Sequence, residues 1–401
     1  MLFGVSFWDR KRTYEVFLQK EGRWQLHVLC DDEKDAIDEA RHLLMTGKTL
    51  GVKVVRHRTL SSLVSSETVV YEATANPPKD KPLTVLTPFG EVALCRTVDD
   101  LFTADGRRTI GQVLRDYLTR VNLSPTELLH SYSHLRKLGE VQGLVNAGLH
   151  RVAAAQAGTM GVPAKERLQV LDGLVTQAQQ KARAFAAERA GYPDCKGGDL
   201  GPLSGFILDK VGMDHHDYVL AALISVWLFE QRSLLAKVEV LAAVAQQNLE
   251  NGLVRQVDAI LADMLSFATV VQELFAPNPN LGTALMQMGA VILCRKAAVE
   301  RLTNPSLRMI AELIRQGHLP QSQGALAERL LREIGSDRPL DQRAPDQEGA
   351  LLDQLVASLT GDDGTILGGD STHKSVERRR LRQRQELLRA QGLHSVADNL
   401  R

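Results

Sequence analysis

Asp214, His215, His216 and Asp217 follow one another directly. Imidazole and carboxylate are the ligand types that hold zinc, iron or manganese, so the tetrad's candidate chemistry is metal-dependent hydrolysis with His215, His216 and Asp217 on a divalent ion. Three ligands of this kind need company. His130 and His134, four apart in the helix that Ser124 starts, would face one side and could complete the set. The same residues also admit a purely structural role. Asp214 is a good N-cap, polar residues in a first helical turn satisfy free N–H groups, and His130 and His134 stand beside Arg136 and Lys137 as on a solvated face.

A second chemistry lies near residue 380. Lys374, Arg378, Arg379, Arg380, Arg382, Arg384 and Arg389 stand against only Glu377 and Glu386, a density that can neutralise nucleic-acid phosphates or an anionic surface, or dock an acidic protein. A solvated terminal helix has the same composition. No aromatic residue is interleaved, so stacking on bases is not expected.

Other enzyme signatures are missing. The chain has no GxxxxGK[ST] loop, no GxGxxG, no GxSxG and no HExxH, and GGDLG from Gly197 has no strand before it. Cys30, Cys95, Cys195 and Cys294 are scattered singly, which argues against a zinc ribbon or a disulfide framework and for reduced, buried thiols.

The elements that would carry these groups begin with a small sheet. Residues 13–18 and 24–29 are short β-rich runs joined by a Gly-containing link, and Trp24, Leu26 and Val28 alternate with polar neighbours as one apolar face. Asp31 and Asp32 cap a helix through Leu44, and Val52–Val55 and Thr68–Tyr71 extend the sheet to a ββαβ(β) module over 1–76. Residues 77–108 read as a linker, with Pro77, Pro78, Pro82 and Pro88 and a short apolar run, Glu91 to Cys95, that either adds a strand or tethers it.

From 109 to 335 the pattern is helical. Ser124-Pro125-Thr126-Glu127 is a capping box with proline at the first helical position, and Pro163 and Asn304-Pro305 open further helices. Tyr218–Phe229, YVLAALISVWLF, is apolar on every side except at Ser225, too short to span a membrane, and marks the helix the others pack around. Leu253 to Leu274 gives one amphipathic helix, and residues 281–302 another. The glycine- and proline-rich stretch 191–205 divides the region or forms an ordered loop. Residues 336–372 are acidic and read as a flexible tether, with an apolar island at Leu351, Leu352, Leu355 and Leu359, followed by a basic helix over 373–401.

The sequence therefore predicts an α+β protein: a small sheet module, a large helical domain and a charged tail. With 48 basic and 48 acidic residues, nothing in the overall charge points to a polyanion or a membrane, and MLFGVSFWDRKR reverses the order of a signal peptide. The functional expectation is a cytoplasmic regulatory or scaffold protein that binds protein partners or itself and needs no cofactor. The alternatives are a hydrolase with a divalent metal and a nucleic-acid-associated factor acting through the tail.

Overall fold

The computed structural model describes residues 12–20, 23–45, 49, 51–59, 65–74, 83–86, 92–141, 143–195, 198–248, 252–344, 347–361 and 363–400. The four linker prolines, Gly197 of the GGDLG run, Asp362 and the first eleven residues lie outside them. The chain divides into two compact units, Met1–Val240 and Leu241–Arg401.

The first unit opens with a four-stranded antiparallel sheet. Its strands are β1 (Arg12–Lys20), β2 (Arg23–Cys30), β3 (Gly51–Thr59) and β4 (Ser65–Thr74), in the spatial order β2-β1-β3-β4. Helix α1 (Glu33–Met45) lies between β2 and β3 in the chain and is capped by Asp32, whose Oδ1 accepts from the amides of Lys34 and Asp35. Tyr14, Val16 and Leu18 of β1 pack with Val52 and Val54 of β3 against Ala36, Ala40 and Leu43 of α1. The alternation of β1 and the helical spacing of α1 are thus two halves of one core.

The alternation expected for β2 is interrupted. Val28 pairs with Val16, but Leu26 pairs with Phe17, so His27 is an extra residue and the register shifts there. Because Val16 and Phe17 point to opposite faces, Val28 turns toward α1 while Leu26 turns away. Val28 is partly buried against the core, whereas Leu26 is 51% and Leu29 59% exposed on the end strand.

Residues 92–97 form no strand. They are bound by side chains instead: Gln156 donates to the carbonyl of Ala93 and Arg167 to that of Cys95, while Arg167 Nε reaches Gln156 Oε1 at 2.5 Å. Cys95 and Leu101 join Leu129, Ala153, Leu171, Leu174 and Ala178 in a core of helical residues. This part of the expected linker therefore belongs to the helical packing.

The helices that follow are α2 (Ala104–Val113), α3 (Arg115–Arg120), α4 (Pro125–Leu129), α5 (Tyr132–Glu140), α6 (Leu144–Met160), α7 (Ala164–Glu188), α8 (Gly201–Val211), α9 (Met213–Leu228) and α10 (Leu234–Gln247), in which the first unit ends. The apolar stretch fills α9, where Leu220, Ala222, Leu223, Ile224 and Leu228 are almost wholly buried and Ser225 returns its hydroxyl proton to the Ala221 carbonyl. The capping box forms as expected: Ser124 Oγ accepts from the Glu127 amide and Glu127 Oε2 from the Ser124 amide. An apolar cavity of about 110 Å³ lies among α2, α4, α5, α6 and α7.

The second unit contains α11 (Val254–Leu265), α12 (Ala268–Leu274), α13 (Leu281–Ile292), α14 (Lys296–Val299), α15 (Pro305–Arg315), α16 (Pro320–Ile334), α17 (Glu348–Leu359), α18 (Gly369–Ala390) and α19 (His394–Asn399). The single helices expected over 253–274 and 281–302 are each broken in two. The first breaks at Ser266-Phe267, and the second near Cys294, which takes a left-handed φ of 55°. Asn304 caps α15 as its sequence predicts, through Oδ1 to the amides of Ser306 and Leu307. Asp258 of α11, fully buried, accepts from the amides of Gln321 and Ser322 and so caps α16 across the core.

The segment expected as a flexible tether is folded in large part. Leu352, Leu355 and Leu359 of α17 are buried, and α17 packs on α13 and α18. Acidic composition misled here, because the apolar island at helical spacing has a helical surface to bury against.

Candidate functional site

The DHHD run lies where α8 meets α9. Asp199 Oδ1 accepts from the Gly201 amide at the start of α8, and Leu203, Ser204 and Ile207 turn inward. Gly212, at a φ of 71°, turns the chain so that α9 packs along α8; Gly212, not Asp214, is the N-cap of α9. That geometry brings Ser204 to His216, twelve residues on in sequence.

Ser204 Oγ lies 2.8 Å from His216 Nε2, and His216 Nδ1 lies 2.9 Å from Asp217 Oδ1. An ionised carboxylate can only accept, which assigns the imidazole proton to Nδ1 and leaves Nε2 to accept from the Ser204 hydroxyl. The connectivity is that of a serine nucleophile, its base and the group that orients the base. Ser204 and His216 are only 8% and 7% exposed, while Asp217 reaches solvent. The Ser204–His216 bond also ties α8 to α9.

Of the five residues expected around a metal, His216 and Asp217 are bonded to each other and the other three lie in different surroundings. His215 is exposed. His130 terminates α4, with Nδ1 bonded to the Thr126 carbonyl at 2.7 Å and its ring 4.6 Å from that of Tyr218 and 5.1 Å from that of Phe102. His134 belongs to α5, with Nδ1 2.9 Å from Ser131 Oγ and its ring beside Phe229. The expected shared face of His130 and His134 fails because α4 ends between them. Among the described residues no group of three or more His, Cys, Asp or Glu side chains is placed to hold a metal.

The surroundings of His130 are aromatic and cationic. Lys181 Nζ sits 5.0 Å from the Phe102 ring centre and 4.5 Å from that of Tyr218, and pairs with Asp99 at 2.9 Å. Burial, with Arg107 and Lys181 nearby, pulls the His130 pKa down to about 4. Burial raises all four cysteine thiols, Cys195 to about 12 with Asp194 adding to the effect, which works against thiolate formation.

The basic stretch is α18, and its cations are not equivalent. Arg379 is 4% exposed and donates to the carbonyls of Glu333, Ile334, Ser336 and Arg338 and to Glu348 Oε1. All five guanidinium N–H groups have acceptors, and four of those are carbonyls at and just beyond the end of α16. Arg380 pairs with Asp353 and Arg382 with Asp337. Lys374, Arg378 and Arg384 are exposed. The acidic and basic segments thus meet as specific folded pairs, while Asp363 is occupied by the amide and hydroxyl of Thr365, which hold its carboxyl below the usual range.

Sequence reading missed Ser204, since a turn and two helix axes, not a motif, bring it to His216. It also missed Arg329 and Glu333, whose i,i+4 spacing on α16 was visible. No family model, curated protein or solved structure matches the chain.

Proposed function

We propose that the protein is a cytoplasmic regulatory or scaffold protein whose N-terminal sheet receives a protein partner at β2. The observation behind this reading is the place of β2 at the end of the sheet, with no further strand beside it among the described residues and with Leu26 and Leu29 half-exposed on it. An end strand offers unpaired backbone groups, and two adjacent exposed leucines add apolar area that a partner strand or helix can cover. Among the described residues no helix is long and apolar enough to cross a membrane, which fits a protein that works in the aqueous phase. Photo-crosslinking side chains at positions 26 and 29 should capture one discrete partner or a second copy of the chain. The same probe at Val170, exposed on α7, should not. Equal, diffuse capture at all three positions would sink the reading.

A second reading is favoured by the Ser204–His216–Asp217 relay: hydrolysis through a serine nucleophile without a metal. Substrate would have to reach a buried hydroxyl, so some opening of α8 is part of this reading. A fluorophosphonate should label Ser204, and Ser204→Ala or His216→Ala should abolish labelling. Intact protein that stays unlabelled after prolonged exposure would reduce the relay to a latch between helices. On α18 the nucleic-acid reading now rests, among the described residues, on Lys374, Arg378 and Arg384, since Arg389 pairs with Asp398.

A further inference from the structure

A cavity of about 330 Å³ lies in the second unit among α12, the chain that follows it, α13 and the end of α16. Its lining is apolar at Val271, Phe275, Leu285 and Met288, with the amides of Gln272, Asn278 and Asn280 among them. The lining also carries Arg329, Glu333 and Arg338. Arg329 and Glu333 are 7% and 8% exposed, one helical turn apart, and Arg329 donates to Glu333 Oε1.

Two features of this corner are unfinished. That bond is the single one Arg329 makes among the described residues, although a guanidinium has five donors and this one is almost wholly withdrawn from bulk water. Among the described residues Glu333 Oε2 is buried without a hydrogen-bond partner, and Arg338 Nη1 stands 3.9 Å from it on a side chain that is half-exposed. Two guanidinium groups therefore face the cavity with one carboxylate between them. The excess positive charge, the spare planar donors and the apolar part of the lining describe the two ends of one ligand.

We propose that this cavity binds a small monocarboxylic acid with an apolar body, its carboxylate on Arg329 and its hydrocarbon along Phe275, Leu285 and Met288. Glu333 orients Arg329 by holding one edge of the guanidinium. Arg338 closes over the bound carboxylate and, in closing, comes within bonding distance of Glu333 Oε2, so that binding completes the partnerships left open in the free protein. A carboxylate on a hydrocarbon body is preferred to a bare inorganic anion because Val271, Phe275, Leu285 and Met288 offer an anion nothing.

Calorimetric titration with hexanoate, 1-hexanol and hexylamine tests the assignment. Hexanoate should bind saturably in the micromolar to millimolar range, hexanol at least about tenfold more weakly, a step worth about 1.4 kcal/mol, and hexylamine not at all. Arg338→Gln, at an exposed position, should weaken hexanoate several-fold. Ala284→Phe, which fills the cavity from α13, should abolish binding without removing either arginine. Arg329→Gln should abolish it too, and the other two variants decide the matter if that protein does not fold. Hexanol binding as well as hexanoate would overturn the proposal, as would binding that survives Ala284→Phe, which would place the ligand elsewhere, for instance in the apolar cavity of the first unit. No heat from hexanoate at millimolar concentration would also overturn it.

Discussion

Lys237 Nζ lies 2.6 Å from Glu127 Oε1, with the two side chains 2% and 0% exposed. Glu127 is also the reciprocal half of the Ser124 capping box, so one carboxylate closes the N-terminus of α4 with one oxygen and anchors α10 with the other. Burial pushes its carboxyl up, and the Lys237 ammonium and the Ser124 amide work against that push.

Removing one partner of this pair should be costly. Lys237→Met leaves a carboxylate uncompensated in the interior and should lower unfolding free energy by about 3–5 kcal/mol in urea titration. Glu127→Gln/Lys237→Met should cost less than the sum of the single changes, by about 1 kcal/mol or more. Strict additivity would mean that the two groups do not interact as described.

His130 makes the fold acid-sensitive in a defined window. Its folded pKa of about 4 lies below the ordinary 6.5, so the neutral ring contributes stability that is fully present above pH 6.5. As pH falls from 6.5 toward 4 the unfolded chain takes up a proton that the folded chain refuses, and that stability, about 2–3 kcal/mol, is lost. Urea titrations at pH 7 and pH 4.5 should differ by less in His130→Phe than in the parent; an identical pH dependence in both would contradict the assignment.

Arg379 should behave as a core residue and its neighbours as surface ones. Arg379→Lys supplies three donors where five acceptors wait and should lower the melting temperature markedly. Arg378→Gln with Arg384→Gln should leave it unchanged. If the tail binds DNA, RNA or anionic vesicles, the second pair of changes together with Lys374→Gln should weaken that binding, and the difference from the parent should be largest at low salt, where surface charge is least screened.

Gly106 is fixed by a close backbone approach. A Cβ there would lie 2.2 Å from the Asp100 carbonyl oxygen and 2.9 Å from that of Leu101, so Gly106→Ala should cost about 3 kcal/mol or more. Gly158, within α6, has nothing within 4 Å of its would-be Cβ, and Gly158→Ala should stabilise by about 0.5–1 kcal/mol. Equal effects of opposite expectation, read by urea titration, would discredit the approach at Gly106.

What was legible in the sequence follows from how local each signal is. The capping box at Ser124, the Asn304-Pro305 start and the apolar stretch of α9 from Tyr218 on were all visible because the residues that decide them lie within a few positions of one another. The β2 face was misjudged because a bulge is a property of two paired strands, and β1 decides where Leu26 points. The buried Arg379 looked like one more cation in a basic run, since its acceptors are supplied from 31 to 46 residues away. Ser204 and Arg329 carry no local mark, and only the packing of α8 on α9, or a cavity wall, gives them a role.

The reach of Arg379 also sets an order of events during synthesis. The carbonyls that end α16 leave the ribosome with Ile334, but the side chain that satisfies them follows 45 residues later, and Glu348 emerges between the two. Until position 379 clears the exit tunnel, α16 is a nascent helix with an open C-terminus, and the pairing of α17 with α18 cannot form. Chains stalled upstream of that point should remain protease-sensitive from Glu333 onward, and those stalled well beyond it should abruptly become resistant.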